Sequence, residues 1–287
     1  MKQLPYLLLA ASILLETGKN VFSNNFSKKT LQNEADIYKF NTFLYTGSFA
    51  VLCCAGGWEV SGFTAVTALL FAVALWLNQY FFLKALAVGP MGFTSCIQGV
   101  SLVIPVIYGA VMWNETLGLR HILLLALLIG ALALALDLKK ETLNWKWLLY
   151  SFGAMAALGG ISVLQSTHQM SAHKGELFAF LRLAFLFTVV INLIGWRLGE
   201  KKTPATFRLK GNAIPMAAAS GAFMGLVHII NLYLSGVMKK VIFFPVVNGG
   251  LLFVTLLAGM LFFKEKLRAK QWLGILLGTA ALCLIGL

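Results

Sequence analysis

A single carboxylate stands where carboxylates are expensive to place. The first apolar stretch, Pro5–Phe26, reads PYLLLAASILLETGKNVFSNNF and carries Glu16 near its middle, followed by Lys19, Asn20, Asn24 and Asn25. An ionised group at the centre of a membrane-crossing helix costs at least ~2.5 kcal/mol on insertion scales, so it needs other helices or a watery cavity around it and marks a functional site by default. Burial and a neighbouring cation push a carboxylate's ionisation in opposite directions. A group poised between them suits proton or ligand coupling. Lys19 lies three residues on and shares the face of Glu16, which gives the competing reading, a structural ion pair. Where both hold, the pair leaves little net charge and suits a zwitterion such as an amino acid better than a simple cation. Asn20 and Asn24 continue the face of Glu16 in four-residue steps; they either line a path or join helices by hydrogen bonds.

Further polar residues interrupt other apolar runs. Asn78 and His228 lie near the middle of two of them, and Gln98 and Asn248, each followed by glycine, lie in two more. His228 is a candidate proton acceptor, set against a hydrogen-bonded structural histidine. Arg182 has three readings: snorkelling outward, pairing with Glu16, or binding a substrate carboxylate through its planar fork. Trp76 with Tyr80 four residues later offers an aromatic wall for a flat or cationic ligand, or ordinary packing. Glu115 and Glu265 form a matched pair of acids. Their turns are expected on opposite membrane faces, at the first turn of a helix where an acid complements the dipole, so they read as structural. No phosphate loop, metal cluster or nucleophile triad is evident, and no cofactor, metal or enzymatic activity is expected.

These residues need helices to position them. The 287-residue chain is 59% hydrophobic and only 11% charged, with mean hydropathy +0.83, whereas soluble domains carry about 25% charged residues. An all-α membrane protein follows, embedded in a lipid bilayer. Ten segments are long enough to span: Pro5–Phe26, Tyr38–Gly57, Gly62–Ala87, Met91–Trp113, Leu119–Leu138, Trp145–Thr167, Glu176–Trp196, Gly211–Met238, Val241–Phe263 and Lys270–Leu287. Pro105 and Pro245 are expected to kink the fourth and ninth. Trp58, Trp113, Trp145, Trp147, Trp196 and Trp272 fall at proposed ends, where the ring suits the headgroup level. Cys53, Cys54, Cys96 and Cys283 sit inside apolar runs and read as packing residues. The first segment lacks a cleavage pattern of the signal-peptide kind and is expected to stay as a helix.

The net charge of +13 resides in short loops between apolar runs, which argues against nucleic acid as a partner and for anionic headgroups. Lysines and arginines concentrate after odd-numbered helices, including Lys139, Lys140, Arg208, Lys210, Lys264 and Lys266, while the other side holds Lys2, Arg120, Lys174, Lys239 and Lys240. The positive-inside rule then predicts both termini outside. A shift of 150 residues aligns Asn78 with His228, Gln98-Gly99 with Asn248-Gly249, and Glu115-x-Leu117 with Glu265-x-Leu267. The first helix aligns at a shift near 141, with Gly18 on Gly159 and Asn24 on Gln165. Two five-helix repeats are predicted, 1–139 and 140–287, and an odd number of spans inverts one relative to the other, with sites expected at the repeat interface. Gly221-x-x-x-Gly225 and Gly274-x-x-x-Gly278 permit close helix contact.

Two halves that each end in Glu-x-Leu before a last helix, here WNETLGLRH and FKEKLRAKQWLGILLGTAALCLIG, resemble the ten-helix EamA-type permeases of the drug/metabolite transporter superfamily along essentially the whole chain. The opening SILLETG also resembles the first helix of the small multidrug resistance proteins. In that branch the helix-one glutamate serves both protons and cationic substrates, a role the resemblance extends to Glu16 alone. Lys19 and the Ala157 that stands at the equivalent place in the second half depart from a symmetric two-carboxylate exchanger. The resemblance implies a secondary transporter or exporter of small organic metabolites, such as amino acids or related amines, in a bacterial inner membrane.

The expectation from all of this is alternating access, with protons as a candidate coupling ion. The cavity would be lined by helices one, three, four, six, eight and nine. Glu16, Lys19 and His228 are the coupling candidates. Asn20, Asn24, Trp76, Asn78, Tyr80, Gln98, Gln165, Arg182 and Asn248 are the lining candidates. A cationic-drug transporter and a non-transporting scaffold or flippase accessory are the rivals. Monomer and homodimer both stay open.

Overall fold

The computed structural model describes residues 4–30, 33–54, 56–89, 94, 97–135, 144–202, 213–263 and 268–285. Among the described residues ten α-helices carry the fold: α1 Leu4–Thr30, α2 Glu34–Cys53, α3 Gly62–Val88, α4 Val103–Met112, α5 Leu119–Ala135, α6 Trp145–Met170, α7 Leu177–Lys202, α8 Ala213–Val237, α9 Lys240–Phe263 and α10 Ala269–Ile285. Several starts follow from local chemistry. Asn33 and Asp36 form a reciprocal capping box on α2, Ser61 accepts from the Thr64 amide to start α3, and Asn144 accepts from Lys146 to start α6. Each cap satisfies amide donors that the first turn leaves unpaired.

Four helical stretches, Gly62–Val88, Trp145–Met170, Lys174–Lys201 and Ile214–Val237, are long and apolar enough to cross a membrane. Large apolar side chains also face outward on other helices, as at Leu7, Val111, Leu261 and Leu276. Water would penalise that surface and lipid tails would not, which fits a membrane protein.

Packing pairs distant helices. α3 lies along α6 and α1 along α8, while α2 is wedged against α7 and α8, and α10 against α5. The first two pairs are antiparallel: Thr64 meets His168 and Asn78 meets Ala154, while Ser12 meets Asn231 and Gly18 faces Phe223. One core of α2, α3, α7 and α8 is filled by Leu44, Tyr45, Phe71, Phe180 and Phe185, and a second by Leu9, Leu102, Phe243, Phe244 and Phe253. Glycine sets the tightest approach. A Cβ on Gly221 would fall 1.8 Å from the Leu44 carbonyl oxygen, and one on Gly47 2.3 Å from that of Ala218. The Ser48 hydroxyl donates to the Gly221 carbonyl across this seam at 2.7 Å.

Three sequence expectations change here. The stretch Met91–Trp113 is not one helix among the described residues: a 3-10 turn, Val100–Leu102, precedes α4. Pro105 has no amide to give to the Ser101 carbonyl, so the regular ladder cannot continue through that turn. Trp147 is packed inside the protein rather than turned toward headgroups; it is 1% exposed, with its indole donating to the Thr94 hydroxyl at 2.9 Å and its ring against Gly89. Cys53 and Cys54 are exposed rather than packed, since the last turn of α2 runs past its neighbours. The last helices of the two predicted halves, α5 and α10, pack on each other, while the Gly278 notch itself receives Phe253 of α9. Lys2, Cys96, Asp137, Lys139, Lys140, Arg208, Lys210, Lys264, Glu265 and Lys266 lie outside the described residues.

Candidate functional site

Helical spacing brings Glu16, Lys19 and Asn20 onto one side of α1, facing α8 and α9. The Thr17 hydroxyl between them turns back to the Ile13 carbonyl at 2.8 Å, so it needs no partner from the cavity. Lys19 donates from Nζ to Glu16 Oε1 at 2.5 Å, with side-chain exposures of 6% and 20%. An ammonium this deep is held in place by the carboxylate one turn back, and breaking one member would strand the other.

The pair opens onto a cavity of about 80 Å³. One water needs only ~10–15 Å³ on that measure, so several fit. Its wall comes from α1, α3, α6, α8, α9 and Gln98, which precedes the 3-10 turn ahead of α4. Gln165 of α6 lies with Nε2 3.3 Å from His228 Nδ1. If the amide donates there, the neutral imidazole carries its proton on Nε2. Phe71 and Phe185 hold the His228 ring edge-to-face, at centroid distances of 5.6 and 5.5 Å. Asn78 donates to the Ala154 carbonyl at 2.9 Å and so fastens α3 to α6 beside the cavity. The amide nitrogen of Asn248 is buried and has no partner among the described residues. A buried donor of that kind asks for a water or a solute. A second, smaller pocket of about 20 Å³ shares Asn20, Gln98 and Asn248 with the cavity and reaches Thr255.

The structure thus brings Glu16, Lys19, Asn20, Asn78, Gln98, Gln165, His228 and Asn248 around one cavity. It places four other candidates elsewhere. Asn24 is fully buried outside the cavity, and neither of its amide atoms has a partner among the described residues. Trp76 and Tyr80 pack on each other with centroids 6.2 Å apart, away from the cavity. Tyr80 donates to Glu34 at 3.0 Å, with the Lys84 ammonium above its ring. Arg182 neither meets Glu16 nor lines the cavity. Its guanidinium stacks 3.8 Å over Trp58 and donates to the Gly57 carbonyl.

Two polar lining residues were not among the sequence candidates. Asn231 accepts from the Ser12 hydroxyl at 2.6 Å, and Ser162 lies on α6 beside Gln165. Each stands three residues from a candidate already in view, His228 or Gln165, on the same helical face. That spacing was the available signal.

No family model and no curated protein matches this chain. Solved structures do. One, described only as a crystal structure of a protein, is 12% identical over 98% of this chain and 95% of its own length, with a TM-score of 0.73. That likeness establishes a shared fold and nothing about chemistry.

Proposed function

We propose that this protein is a ten-span secondary transporter, built as two inverted five-helix repeats, that moves a small organic solute by alternating access. The carrying observation is the polar cavity around the Glu16–Lys19 pair, set among apolar helices of both halves. Two charges and several amides held this deep are costly for a chain that only scaffolds. Support for the repeat comes from packing. When each helix is exchanged with the one five places on, α1 with α8 becomes α6 with α3, and α2 with α8 becomes α7 with α3. Likewise α1 with α9 becomes α6 with α4, and all of these pairs are in contact.

The ion pair favours a zwitterion, an amino acid or related amine, over a simple cation. A carboxylate of the solute would compete for Lys19 and its ammonium for Glu16, with Asn231, Asn248 and Gln98 left to read the rest. The cation-only alternative requires Lys19 to leave a site in which it is 5% exposed. On the positive-inside count the end where α4 stops and α9 starts faces outward.

A thermal-shift screen of the purified protein over amino acids, quaternary amines and aromatic drugs tests the reading. At least one zwitterion should raise Tm for the native chain and not for Glu16→Gln. Cationic compounds alone giving the shift would reverse the substrate assignment, and shifts that ignore Glu16→Gln would remove this cavity as the site.

A further inference from the structure

Lysine 240 is the least expected cation in the molecule. It opens α9, yet it is only 3% exposed. Its Nζ lies 3.5 Å from Glu115 Oε1, 3.3 Å from the Met170 sulfur, and over the Trp113 ring at 5.1 Å. The other oxygen of Glu115 accepts from the Lys240 backbone amide at 3.0 Å. Glu115 therefore caps the α9 N-terminus, on a helix of the other half, rather than its own α5. That corrects the sequence reading, in which the acid served its own helix.

The approach to this contact is shaped for it. Asn114 takes a left-handed φ of 51°, which turns the chain after α4 back toward α9, and the Glu115 amide is tied to the Gly109 carbonyl at 3.3 Å. A Cβ on Gly109 would stand 3.4 Å from both the Glu115 carboxylate and Lys240 Cβ. The pair therefore packs close against α4 at this position.

Its position relative to the cavity gives the contact its significance. Phe243 and Phe244, the next turn of α9, are fully buried and form the cavity wall on this side. Further along α9 a smaller pocket, sharing Asn20, Gln98 and Asn248 with the cavity, reaches Thr255. The end at Lys240 is thus sealed by an ion pair over two phenylalanines. In the 150-residue register Glu115 falls on Glu265, but Lys240 falls on Pro90. The acid is duplicated and the cation is not.

We propose that Glu115 and Lys240 form a one-sided latch that holds α4 to α9 and closes the cavity at that face. The proposal rests on the alternating-access reading. A buried ion pair adds little to stability against an apolar replacement, whereas separating it is strongly unfavourable. It therefore biases a two-state element more than it stabilises the fold. Opening at this face requires the pair to part, with water taking its place. Arg120, His121 and Lys239 line the groove immediately outside and would meet Glu115 once released.

The test is labelling of a Ser162→Cys reporter in the cavity wall by a membrane-impermeant maleimide, in a chain with its four native cysteines replaced. Reagent is applied separately to intact cells and to inverted vesicles. A second chain that keeps only Cys53 and Cys54 identifies the latch face by the side from which it is labelled, since α2 ends there. Lys240→Met keeps the stem packing, and Glu115→Gln keeps an oxygen for the α9 amide. Either should raise labelling from the latch face by about fivefold or more, the lower end of ordinary coupling between states, and lower it from the opposite face. The double variant should label no faster than the singles, because one interaction is removed in all three. Unchanged rates would overturn the latch, and so would a rise from both faces, the sign of general loosening. No substrate enters this readout. A failure of the transport reading would show instead as the absence of any Glu16-dependent ligand response, with the labelling shift intact.

Discussion

Lys19 and Glu16 can be separated into structural and functional parts by substitution. Glu16→Gln leaves the Lys19 ammonium buried beside a neutral amide, and should lower Tm by an amount equivalent to several kcal/mol, within the ~3–5 kcal/mol typical of breaking a buried pair. Replacing both, as Glu16→Gln with Lys19→Met, removes the stranded charge and should restore most of that stability while leaving the cavity unable to hold a charged solute. Thermal melts of the three proteins decide it. A double variant as unstable as the single would mean that the carboxylate contributes through something other than Lys19. The position of this pair was legible in the sequence, because an acid and a lysine one turn apart in an apolar run stand out in composition alone. Asn231 and Ser162 were not, since polar residues of that size are common in membrane helices and only the packing of α6 and α8 distinguishes cavity from interface. Arg182 and Trp76 went the other way: their types suggested a ligand site, and neighbours far along the chain, Gly57 and Trp58 for Arg182, decided otherwise.

At the scale of elements, the seam between α2 and α8 is where backbone approaches backbone most closely. Gly221→Ala should therefore be far more damaging than its single methyl implies, since the new carbon would lie 1.8 Å from the Leu44 carbonyl oxygen. Either the helices move apart or the protein loses ~1–3 kcal/mol to overpacking. Gly160→Ala, with nothing within 4 Å of the added carbon, is the matched control and should hold or raise Tm. Equal effects of the two would contradict the seam. Tyr45→Phe probes the α2–α3 contact, where the buried hydroxyl donates to the Leu75 carbonyl at 3.0 Å. About 1 kcal/mol should be lost, read from the same melts. The GxxxG pattern announced close contact but not its partner, and sequence could not name it because the partner lies more than 170 residues away. The helices themselves were largely visible from hydropathy. The broken segment ahead of α4 was missed as a break, although Gly99 and Pro105 were both in view, because a proline in the first turn after a 3-10 segment looks in sequence like a kink within one helix.

Considered whole, the molecule turns large apolar side chains outward and, among the described residues, gathers most of its polar candidates around a cavity lined by α1, α3, α6, α8 and α9. The all-helical membrane class followed from composition, since a chain with 11% charged residues has too little polar surface for a soluble fold. A register of glycines and amides was the sequence's sign of the proposed repeat, whereas the packing of α3 on α6 and α1 on α8 became visible only in space. Topology gives a prediction at this scale. Exposed Cys53 and Cys54, at the end of α2, should react with an impermeant maleimide added to intact cells if the loops after even-numbered helices face outward. Reaction only in inverted vesicles would invert the whole assignment without disturbing the fold.

The most direct measurement of the central claim is solute uptake by proteoliposomes, comparing the native chain with the Glu16→Gln, Lys19→Met double variant. Liposomes preloaded with the zwitterion selected by thermal shift should exchange it for labelled solute outside only when they contain the native protein, with the double variant inactive despite a near-native Tm. Equal exchange by both proteins, or exchange by neither across the zwitterions and cations screened, would contradict the account.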